Sequence, residues 1–312
     1  MDRLLVDVSS ILRACHHAGT DIEYGYKVEF EGKTHDVNSA SHCYYNFLEA
    51  WKATLLKTGL KPFQTVAVLD GKNSRSLRQA IFPDYKAHRK PRPPELNKEY
   101  NEALEGICDE ICNLGGMVVW QDGMECDDVI CHLSLNLKGK KTIWCRDKDM
   151  LALHRAEDNE GNGVDVLYGQ ELNPWIDNCC PPEFVLLYKS LVGDPSDGFK
   201  GAAGFGPAKF KDLFLRYGKE GMETMLELVE QRRLNELEED APDFPPLMKI
   251  IQATYSVYVS YACARFYPER INTPANPLQI RMQIGQGTED IFGEWNQTKR
   301  LATPADAAWI IS

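Results

Sequence analysis

The chain has 312 residues, enough for one large or two ordinary domains, and its 43% hydrophobic and 26% charged residues are typical of a globular protein. No uncharged apolar run approaches the roughly 18 residues that a membrane-spanning helix needs, and the N-terminal apolar stretch contains Asp7 and lacks the small-residue cleavage site of a secretory signal. The ten cysteines include no C-x-x-C pair of a structural zinc site, so we expect reduced thiols and a cytoplasmic location. The net charge of −11 argues by itself against a nucleic-acid partner.

The charge is unevenly distributed, and its distribution reverses that last inference. Residues 72–98 carry eight Lys or Arg against two acids, and residues 200–219 carry five against one. Residues 220–243 carry nine acids against two Arg. Two basic islands therefore lie within an acidic protein, and both are candidate contacts to nucleic acid.

Short apolar runs alternate with amphipathic helical segments in the first half of the chain. The predicted strands cover residues 4–6, 66–69, 117–120, 142–145 and 164–168. This alternation predicts an α/β domain over residues 1–180, with a mostly parallel central sheet and helices on both faces. From Pro181 helical stripes replace the strand pattern, so we expect a smaller helical domain over residues 181–268 and an irregular C-terminal tail over residues 269–312.

Acidic residues follow three of the predicted strands. Asp7, Asp70 and the pair Asp147 and Asp149 lie at or just after strand ends. Because the carboxyl ends of parallel strands share one edge of the sheet, we expect these side chains to converge. The nine candidate metal ligands are completed by Glu125, Asp127 and Asp128 at the start of a helical stretch, and by Asp194 and Asp197 where the helical segment meets the sheet domain.

Nine carboxylates in one cleft repel strongly, since each pair at about 4 Å costs on the order of 4 kcal/mol, so we expect divalent cations among them. Ligation by oxygen alone is typical of Mg²⁺, or of Mn²⁺ in its place, and two such ions roughly 4 Å apart form a clamp for phosphodiester hydrolysis. Taken singly, each acid also fits a turn, a helix N-cap or a helix-dipole interaction. We favour the metal cluster because all five acidic groups lie where it requires them.

The segment Tyr85-Lys86-Ala87-His88-Arg89-Lys90 is the centre of the first basic island. Pro83 and the prolines after Arg89 confine any helix to a few residues, so we predict a loop or loose arch within about residues 72–98. Lys86 and Arg89 can neutralise a scissile phosphate there, and Tyr85 can stack on a terminal base. A solvated charged loop is the alternative interpretation.

The second island contains the turn Gly204-Phe205-Gly206-Pro207, followed by Lys209. Gly204 and Gly206 allow a tight turn before a helix, and the first amides of that helix, with Lys209, can hold a phosphate. An ordinary turn is the alternative. A nucleotide-binding P-loop is excluded because no Gly-Lys-Ser/Thr follows.

These motifs, in this order, resemble the 5′-nuclease superfamily: flap endonucleases, the 5′-nuclease domain of bacterial DNA polymerase I, and free-standing phage 5′-to-3′ exonucleases. The resemblance runs from Asp7 to about Phe214, roughly two thirds of the chain. It lies in the acid of the first strand, Tyr85-Lys86-x-x-Arg89, Glu125-x-Asp127-Asp128, Asp147-Lys148-Asp149, and Gly193-Asp194-x-x-Asp197 followed by Gly204-x-Gly206. Because no polymerase region follows, the chain is most similar to the short phage exonucleases.

The resemblance implies a PIN-like 5′-nuclease core with a helix-hairpin-helix element. It also implies a Mg²⁺-dependent, structure-selective 5′-to-3′ exonuclease or flap endonuclease with a two-metal mechanism. One ion would be surrounded by Asp70, Glu125, Asp127 and Asp128 with Asp7 close by, and the second would be served by Asp147, Asp149, Asp194 and Asp197. The implied contacts to the scissile phosphate are Lys86 and Arg89, and the implied DNA-binding residues are Arg78, Tyr85, Lys90, Gly204, Gly206 and Lys209, with K⁺ at the glycine turn.

The implied partner is DNA with a 5′ end, flap or nick, and also the RNA of RNA-DNA hybrids. If the protein is phage-encoded, we expect it in the host cytoplasm, acting in DNA replication, primer removal or DNA degradation. Two departures from the family pattern are Cys126 in place of a small Ala and Gly198-Phe199 in place of Asn-Ile.

Two alternatives belong to other functional classes. A metal-dependent phosphatase on a similar sheet would need an Asp-x-Asp nucleophile, and Asp7-Val8-Ser9 lacks the second acid. A non-catalytic DNA-end-binding module would be expected to have lost several of the acids, and none of the five groups is missing.

Overall fold

The computed structural model describes residues 1–17, 25–238 and 244–282. The strands are β1 (Arg3–Asp7), β2 (Gly25–Phe30), β3 (Lys33–Asn38), β4 (Thr65–Val68), β5 (Met117–Trp120), β6 (Lys140–Cys145), β7 (Gly163–Tyr168), β8 (Glu171–Leu172) and β9 (Gln279–Arg281). The α-helices are α1 (Val8–His17), α2 (Ala40–Thr58), α3 (Ser76–Ile81), α4 (Pro94–Asn113), α5 (Cys126–Asn136), α6 (Val185–Val192), α7 (Pro207–Glu230), α8 (Pro245–Gln252) and α9 (Thr254–Ala264).

Seven strands form the central sheet in the order β8-β7-β6-β1-β4-β5-β9. The five inner strands are parallel, and the short edge strands β8 and β9 run antiparallel to their neighbours. β1 lies in the middle, with Asp7 opposite Val68 of β4. The carboxyl ends of β1, β4 and β6 therefore meet at one edge of the sheet, as the strand pattern predicted.

Both faces of the sheet are covered, because alternate residues of β1 enter two different hydrophobic cores. Leu5 packs in the core that contains α5 to α8, whereas Leu4 and Val6 pack in the core under α1, α2 and α4. The predicted α/β class, with a mostly parallel sheet between two helical layers, is confirmed. The division into domains at residue 180 stays a prediction, since α6 to α8 share one core with the sheet.

Two strand regions differ from the sequence prediction. β2 and β3 form an antiparallel hairpin that we did not predict, although Tyr26, Val28 and Phe30 alternate with polar residues and the turn is Glu31-Gly32. The tail from residue 269 is not irregular throughout, because β9 pairs with β5 at the edge of the sheet. Three residues are too few for a period-two pattern to stand out. Residues 283–312 of the predicted tail lie outside the described residues.

Helix α7 contains a break at Gly218, whose φ of 62° and ψ of −166° are not helical. Both halves of α7 lie in the region after Pro181 for which helical stripes are predicted. In the described ranges, no helix is long and apolar enough to cross a membrane.

Candidate active site

The acids of the first, fourth and sixth strands lie together because the backbone places them at one sheet edge. Asp7 ends β1 and is 2% exposed, and its Oδ1 accepts a hydrogen bond from the Ser10 amide at 3.0 Å. It thus caps α1 while lining the cleft, so the N-cap interpretation is correct for this side chain and is compatible with a role as a metal ligand, which stays a prediction. Burial raises the pKa of Asp7 to about 6.

Asp70 is held against the start of α5 by a close approach of two backbones. Gly71 has no side chain, and a Cβ there would lie 1.8 Å from the Gln121 carbonyl oxygen. The Gly71 amide donates to the Met124 carbonyl at 3.1 Å, and Asp70 Oδ1 accepts from the Cys126 amide at 3.0 Å. This contact brings the acid after β4 next to the acidic first turn of α5.

The first acidic group consists of Asp7, Cys126 and Asp127, whose possible ligand atoms all lie within 4.8 Å of one another. Cys126 Sγ lies 3.5 Å from Asp7 Oδ1 and 3.2 Å from Asp127 Oδ1. Burial, followed by the negative charge of Asp147, raises the pKa of Asp127 well above its usual value. Asp7, Asp70, Asp127 and Asp147 line the same small cavity of about 70 Å³.

The second acidic group consists of Asp149, Asp194 and Asp197, again with ligand atoms within 4.8 Å. Asp147 accepts from the Asp149 amide at 3.0 Å and thereby starts the 3-10 helix at 148–153, which places Asp149. Asp194 Oδ1 accepts from the amide and the hydroxyl of Ser196 at 2.8 and 2.6 Å. The turn-residue interpretation of this segment is therefore also correct, and the turn orients the carboxylate.

Lys189 of α6 lies between two of these carboxylates, and sequence reasoning missed it. Its ammonium contacts both Asp149 and Asp194. Burial lowers the pKa of Lys189, but Asp149 and the other acids outweigh that effect and raise it above its usual value. Burial also raises the pKa of Asp149 to about 7. The available signal was the single charged residue in the otherwise apolar run Val185–Val192.

Asp128 is not available to a metal in this structure. Its carboxylate has no exposed surface, and both of its oxygens accept from Arg78, with Oδ1 also accepting from the Tyr267 amide at 2.8 Å. The prediction of Asp128 as a metal ligand is therefore corrected, because three hydrogen-bond donors, two from Arg78 and one from the Tyr267 amide, already occupy its oxygens. The prediction of Arg78 as a DNA contact is wrong for a related reason, because Arg78 is 2% exposed and pairs with Glu125 as well.

Glu125 lies beside the first group but is held by cations and a hydroxyl. Lys86 Nζ is 2.8 Å from its Oε1, and Arg78 Nη1 and the Tyr85 hydroxyl are 2.9 and 3.0 Å from its Oε2. Burial would raise the pKa of Glu125, but Lys86 and Arg78 lower it below its usual value. A metal at Glu125 would have to replace Lys86.

The predicted arch packs onto the cleft instead of projecting from it. Lys86 adopts a left-handed φ of 56°, a conformation in which non-glycine residues are strained, and its amide donates to the Asp197 carbonyl at 2.9 Å. Arg89 Nη2 lies 2.9 Å from Asp197 Oδ1. Lys86 and Arg89 thus face the acids, as predicted, and Lys90 is exposed.

Tyr85 was expected to stack on a base, and the structure contradicts this. Its ring is 2% exposed, and its hydroxyl lies within hydrogen-bonding distance of Glu125 and Asp197, at 3.0 and 3.2 Å. Burial raises the pKa of the Tyr85 hydroxyl, with further contributions from both acids. Tyr85 therefore anchors the basic segment to Glu125 and Asp197. No helix forms between residues 82 and 93, because the prolines in and after this segment disfavour one, as predicted.

The glycine turn lies between α6 and α7. Gly204 has a φ of +69°, Gly206 precedes the first residue of α7, and Pro207 begins that helix, as predicted. The Lys209 ammonium donates to the Gly204 carbonyl. Lys249 of α8, which sequence reasoning missed, has its ammonium 3.1 Å from where a Cβ of Gly204 would lie, and its contact lowers the pKa of Lys209.

Comparison with protein families decides the relationship of the chain. The model of the 5′-3′ exonuclease N-terminal resolvase-like domain matches residues 2–177, more than half of the sequence. The chain belongs to this family. The resemblance inferred from the acidic and basic motifs is thereby confirmed.

Relatives in this 5′-3′ exonuclease family cover part of the chain. A 5′-3′ exonuclease of Mycoplasma genitalium is 33% identical over 175 residues, which are 54% of this chain and 56% of the relative. Flap endonuclease Xni of Photobacterium profundum is 30% identical over 172 residues, or 50% of this chain and 61% of the relative. The chain thus spans little more than half the length of these relatives.

Two solved structures have a fold similar to that of this chain. T5 5′-exonuclease with bound zinc superposes with a TM-score of 0.55 at 15% identity, covering 84% of this chain and 88% of that one. The bacteriophage T5 flap endonuclease, in a complex with DNA and metal ions, superposes with a TM-score of 0.55 at 14% identity, with the same coverage. At this identity the likeness shows the fold.

The donor chemistry of the site fits hard divalent cations. Asp7, Asp70, Asp127 and Asp147 supply carboxylate oxygens with no histidine, which suits Mg²⁺ or Mn²⁺. In the second group, the ammonium of Lys189 already lies where the carboxylates concentrate negative charge. A lysine ammonium therefore lies within the second acidic group, at Asp149 and Asp194. The first group lines a small cavity together with Lys86 and Arg89.

Proposed function

We propose that the protein is a Mg²⁺-dependent 5′ nuclease that hydrolyses DNA phosphodiesters as a 5′-to-3′ exonuclease or flap endonuclease. The observation that carries the proposal is the convergence of acids from three strand ends on one edge, opposite Lys86 and Arg89 of the packed basic segment. Family membership also supports it. A phosphatase is disfavoured because no second acid follows Asp7.

The two basic side chains would bind the scissile phosphate. Lys86 and Arg89 are now paired with Glu125 and Asp197, and a phosphate entering the cleft would exchange these carboxylates for its own oxygens. Asp7, Asp70, Asp127 and Asp147 would hold one divalent cation, and Asp149, Asp194 and Asp197 a second. Bound divalent cations supply Lewis-acid activation of water and charge stabilisation in such sites.

The second ion would be bound only when Lys189 releases its carboxylates. Lys189 contacts two of the three acids, so a cation there competes with a fixed ammonium. Asp128 is left out of the ligand set, and Glu125 would join it only after Lys86 moves to the phosphate. This exchange would couple metal loading to substrate binding.

The substrate would be DNA with a 5′ end, flap or nick, and the RNA strand of a hybrid would be a further substrate. The amides before α7, with Lys209 and Lys249, would bind a phosphate of the duplex. Two ammonium groups at this turn favour an anion over K⁺, which could reach the Gly204 carbonyl only after Lys209 leaves it. Bound DNA and metal ions in the T5 flap endonuclease support this choice of substrate. If the protein is phage-encoded, such an activity would serve DNA replication, primer removal or DNA degradation.

The test measures product release from 5′-labelled duplex and flap DNA, with Mg²⁺ and with EDTA. The critical variant is Asp147→Asn, since Asn also caps a helix and the change removes the charge alone. We expect rapid release by the wild type in Mg²⁺, none in EDTA, and a loss of at least about 100-fold in the variant. The matched control is Glu223→Gln, an exposed acid of α7 far along the chain from the acidic groups.

Two results would overturn the proposal. One is hydrolysis that survives EDTA, and the other is equal activity of Asp147→Asn and Glu223→Gln. Removal of a terminal phosphate from labelled DNA without chain shortening would favour the phosphatase. Binding of 5′ ends without hydrolysis in Mg²⁺ or Mn²⁺ would favour the non-catalytic module.

A further inference from the structure

A second, larger cavity lies beside the metal acids on the face of the sheet that α2 and α4 cover. It has a volume of about 350 Å³ and shares Asp70 with the small acidic cavity. Its apolar walls are Leu69, Leu104, Cys108, Val118 and Trp120, all of which belong to the core on that face. This size lies within the range of small-ligand sites.

Strand β9 closes this cavity. Gln279 of β9 pairs with Trp120 of β5, and Gln279 and Arg281 both line the space. β9 lies outside residues 2–177, which match the family model. The cavity is therefore built partly by a segment that the family model does not include.

The charges around the cavity indicate which part of a nucleotide it would take. Its rim carries Asp70, Glu105 and Asp122, whereas Arg281 is already paired with Glu105 and with Asp109 of α4. An excess of carboxylates repels a phosphate but can accept hydrogen bonds from the N–H groups of a base, including the N3–H group of thymine. Trp120 is half-buried and offers an aromatic surface for stacking.

Lys72, at the mouth of the cavity, suits the phosphate attached to such a base. Lys72 is exposed and lines the cavity, and its ammonium makes no ion pair with any residue in the described parts of the chain. The Lys72 amide is fixed by Asp122 Oδ1 at 3.1 Å. The backbone at the mouth is thus anchored while the side chain is free to reach outwards.

We propose that this cavity binds the unpaired base of the nucleotide on the 5′ side of the scissile phosphate. The inference rests on the proposed nuclease function. Asp70 connects the cavity to the acids, so a base in the cavity would be adjacent to a phosphate at Lys86 and Arg89. Residues 181–264, which carry the glycine turn proposed for the duplex, contribute none of the lining residues. The duplex and the leaving nucleotide would therefore lie on different sides of the cleft.

The experiment uses a duplex with a one-nucleotide 5′ flap, whose flap nucleotide carries either thymine or a tetrahydrofuran abasic unit. Because the flap is unpaired in both cases, the two substrates differ only in the base. Single-turnover cleavage in Mg²⁺ and equilibrium binding in EDTA are measured for both. We expect the wild type to favour the thymine flap by roughly fivefold or more, the size of one lost base stack.

Two variants, Trp120→Ala and Leu104→Phe, test the cavity, and a third, Trp175→Ala, is the control. Trp120→Ala should bring the thymine-to-abasic ratio close to one, while Trp175→Ala, which removes an exposed tryptophan of the loop after β8, should keep the wild-type ratio. Leu104→Phe narrows the cavity without removing core volume and should also lower the ratio. Leu104→Phe replaces Trp120→Ala as the test if circular dichroism shows that Trp120→Ala does not fold.

The outcomes separate this proposal from the one on which it rests. Equal treatment of thymine and abasic flaps by an active wild type would overturn the cavity assignment and leave the nuclease function standing. A folded Trp120→Ala or Leu104→Phe with the full wild-type ratio would overturn it as well. If the wild type cleaves neither substrate, the nuclease function fails, and the ratio of the two dissociation constants still decides whether the cavity holds the base.

Discussion

Arg78 and Asp128 form a buried, two-point ion pair that joins three parts of the chain. Arg78 Nη1 and Nη2 donate to Asp128 Oδ2 and Oδ1 at 2.8 and 3.1 Å, and the guanidinium also donates to the carbonyls of Cys263 and Arg265. The pair links α3, below the basic segment, to α5, which carries the first acidic group, and to the end of α9. Arg78 also contacts Glu125, to which Lys86 is paired.

Arg78→Met should destabilise the protein by about 3–5 kcal/mol, because it leaves the Asp128 carboxylate buried without its partner. Urea unfolding monitored by circular dichroism measures this loss. The control is Arg75→Met, an exposed neighbour that should change stability by less than about 0.5 kcal/mol. Adding Asp128→Leu to Arg78→Met should recover part of the lost free energy of unfolding. If Arg78→Met alone cost less than about 1 kcal/mol, the ion pair would not have the structural role assigned to it.

Lys86→Met should lower the cleavage rate by about 100-fold while changing DNA affinity little, since the ammonium would act on charge that develops in the transition state. Lys90→Met is the matched control, because Lys90 is exposed in the same segment and faces no acid in the described structure. Single-turnover rates and dissociation constants are compared for both. Equal rate losses, or a Lys86 effect confined to affinity, would make the segment a positioning element only.

Lys189→Met should make the protein more dependent on divalent cations. Removing the ammonium leaves Asp149 and Asp194 without a counter-charge, so the melting temperature should fall in EDTA and rise more on adding Mg²⁺ than it does for the wild type. Lys148→Met serves as the control, since Lys148 lies between Asp147 and Asp149 in sequence but pairs with Asp177. An unchanged Mg²⁺-induced shift would show that the cation does not compete with Lys189.

Asp7→Asn should stabilise the metal-free protein at neutral pH, by about 3 kcal/mol at most. The folded pKa of Asp7 is about 6, above its usual value of 3.8, so ionisation weakens folding as the pH rises through this interval. The gain should therefore be present above pH 6 and vanish as the pH falls towards 4. Denaturant unfolding in EDTA at several pH values checks this, and a gain that persists at pH 4 would contradict the assigned cause.

Lys209→Ala and Lys249→Ala should each reduce the salt dependence of duplex binding, by about one unit of slope in log K against log salt. Both ammonium groups lie at the glycine turn, where we propose a phosphate. Lys140→Ala is the control, because Lys140 starts β6 at the opposite edge of the sheet from the acids. Slopes that match the control would place the DNA elsewhere.

The strand ends and their acids could be predicted because they depend on local sequence. Apolar runs define β1, β4 and β6. Because these strands are parallel, Asp7, Asp70 and Asp147 lie at the same edge of the sheet, regardless of the conformation of the connecting loops. The glycine turn and the prolines around the basic segment are equally local, since they restrict φ and ψ at their own positions. Family membership rests on the same ordered motifs.

The tertiary structure alone decided which charges are paired and where the cavities lie. Asp128 and Asp127 are neighbours of the same residue type, yet one is neutralised by Arg78, fifty residues away, and the other faces the cleft. Lys189 and β9 likewise act across the fold. Ion pairing and cavity shape depend on distances between side chains of separate elements, and those distances are set by packing, which no local pattern in the sequence contains.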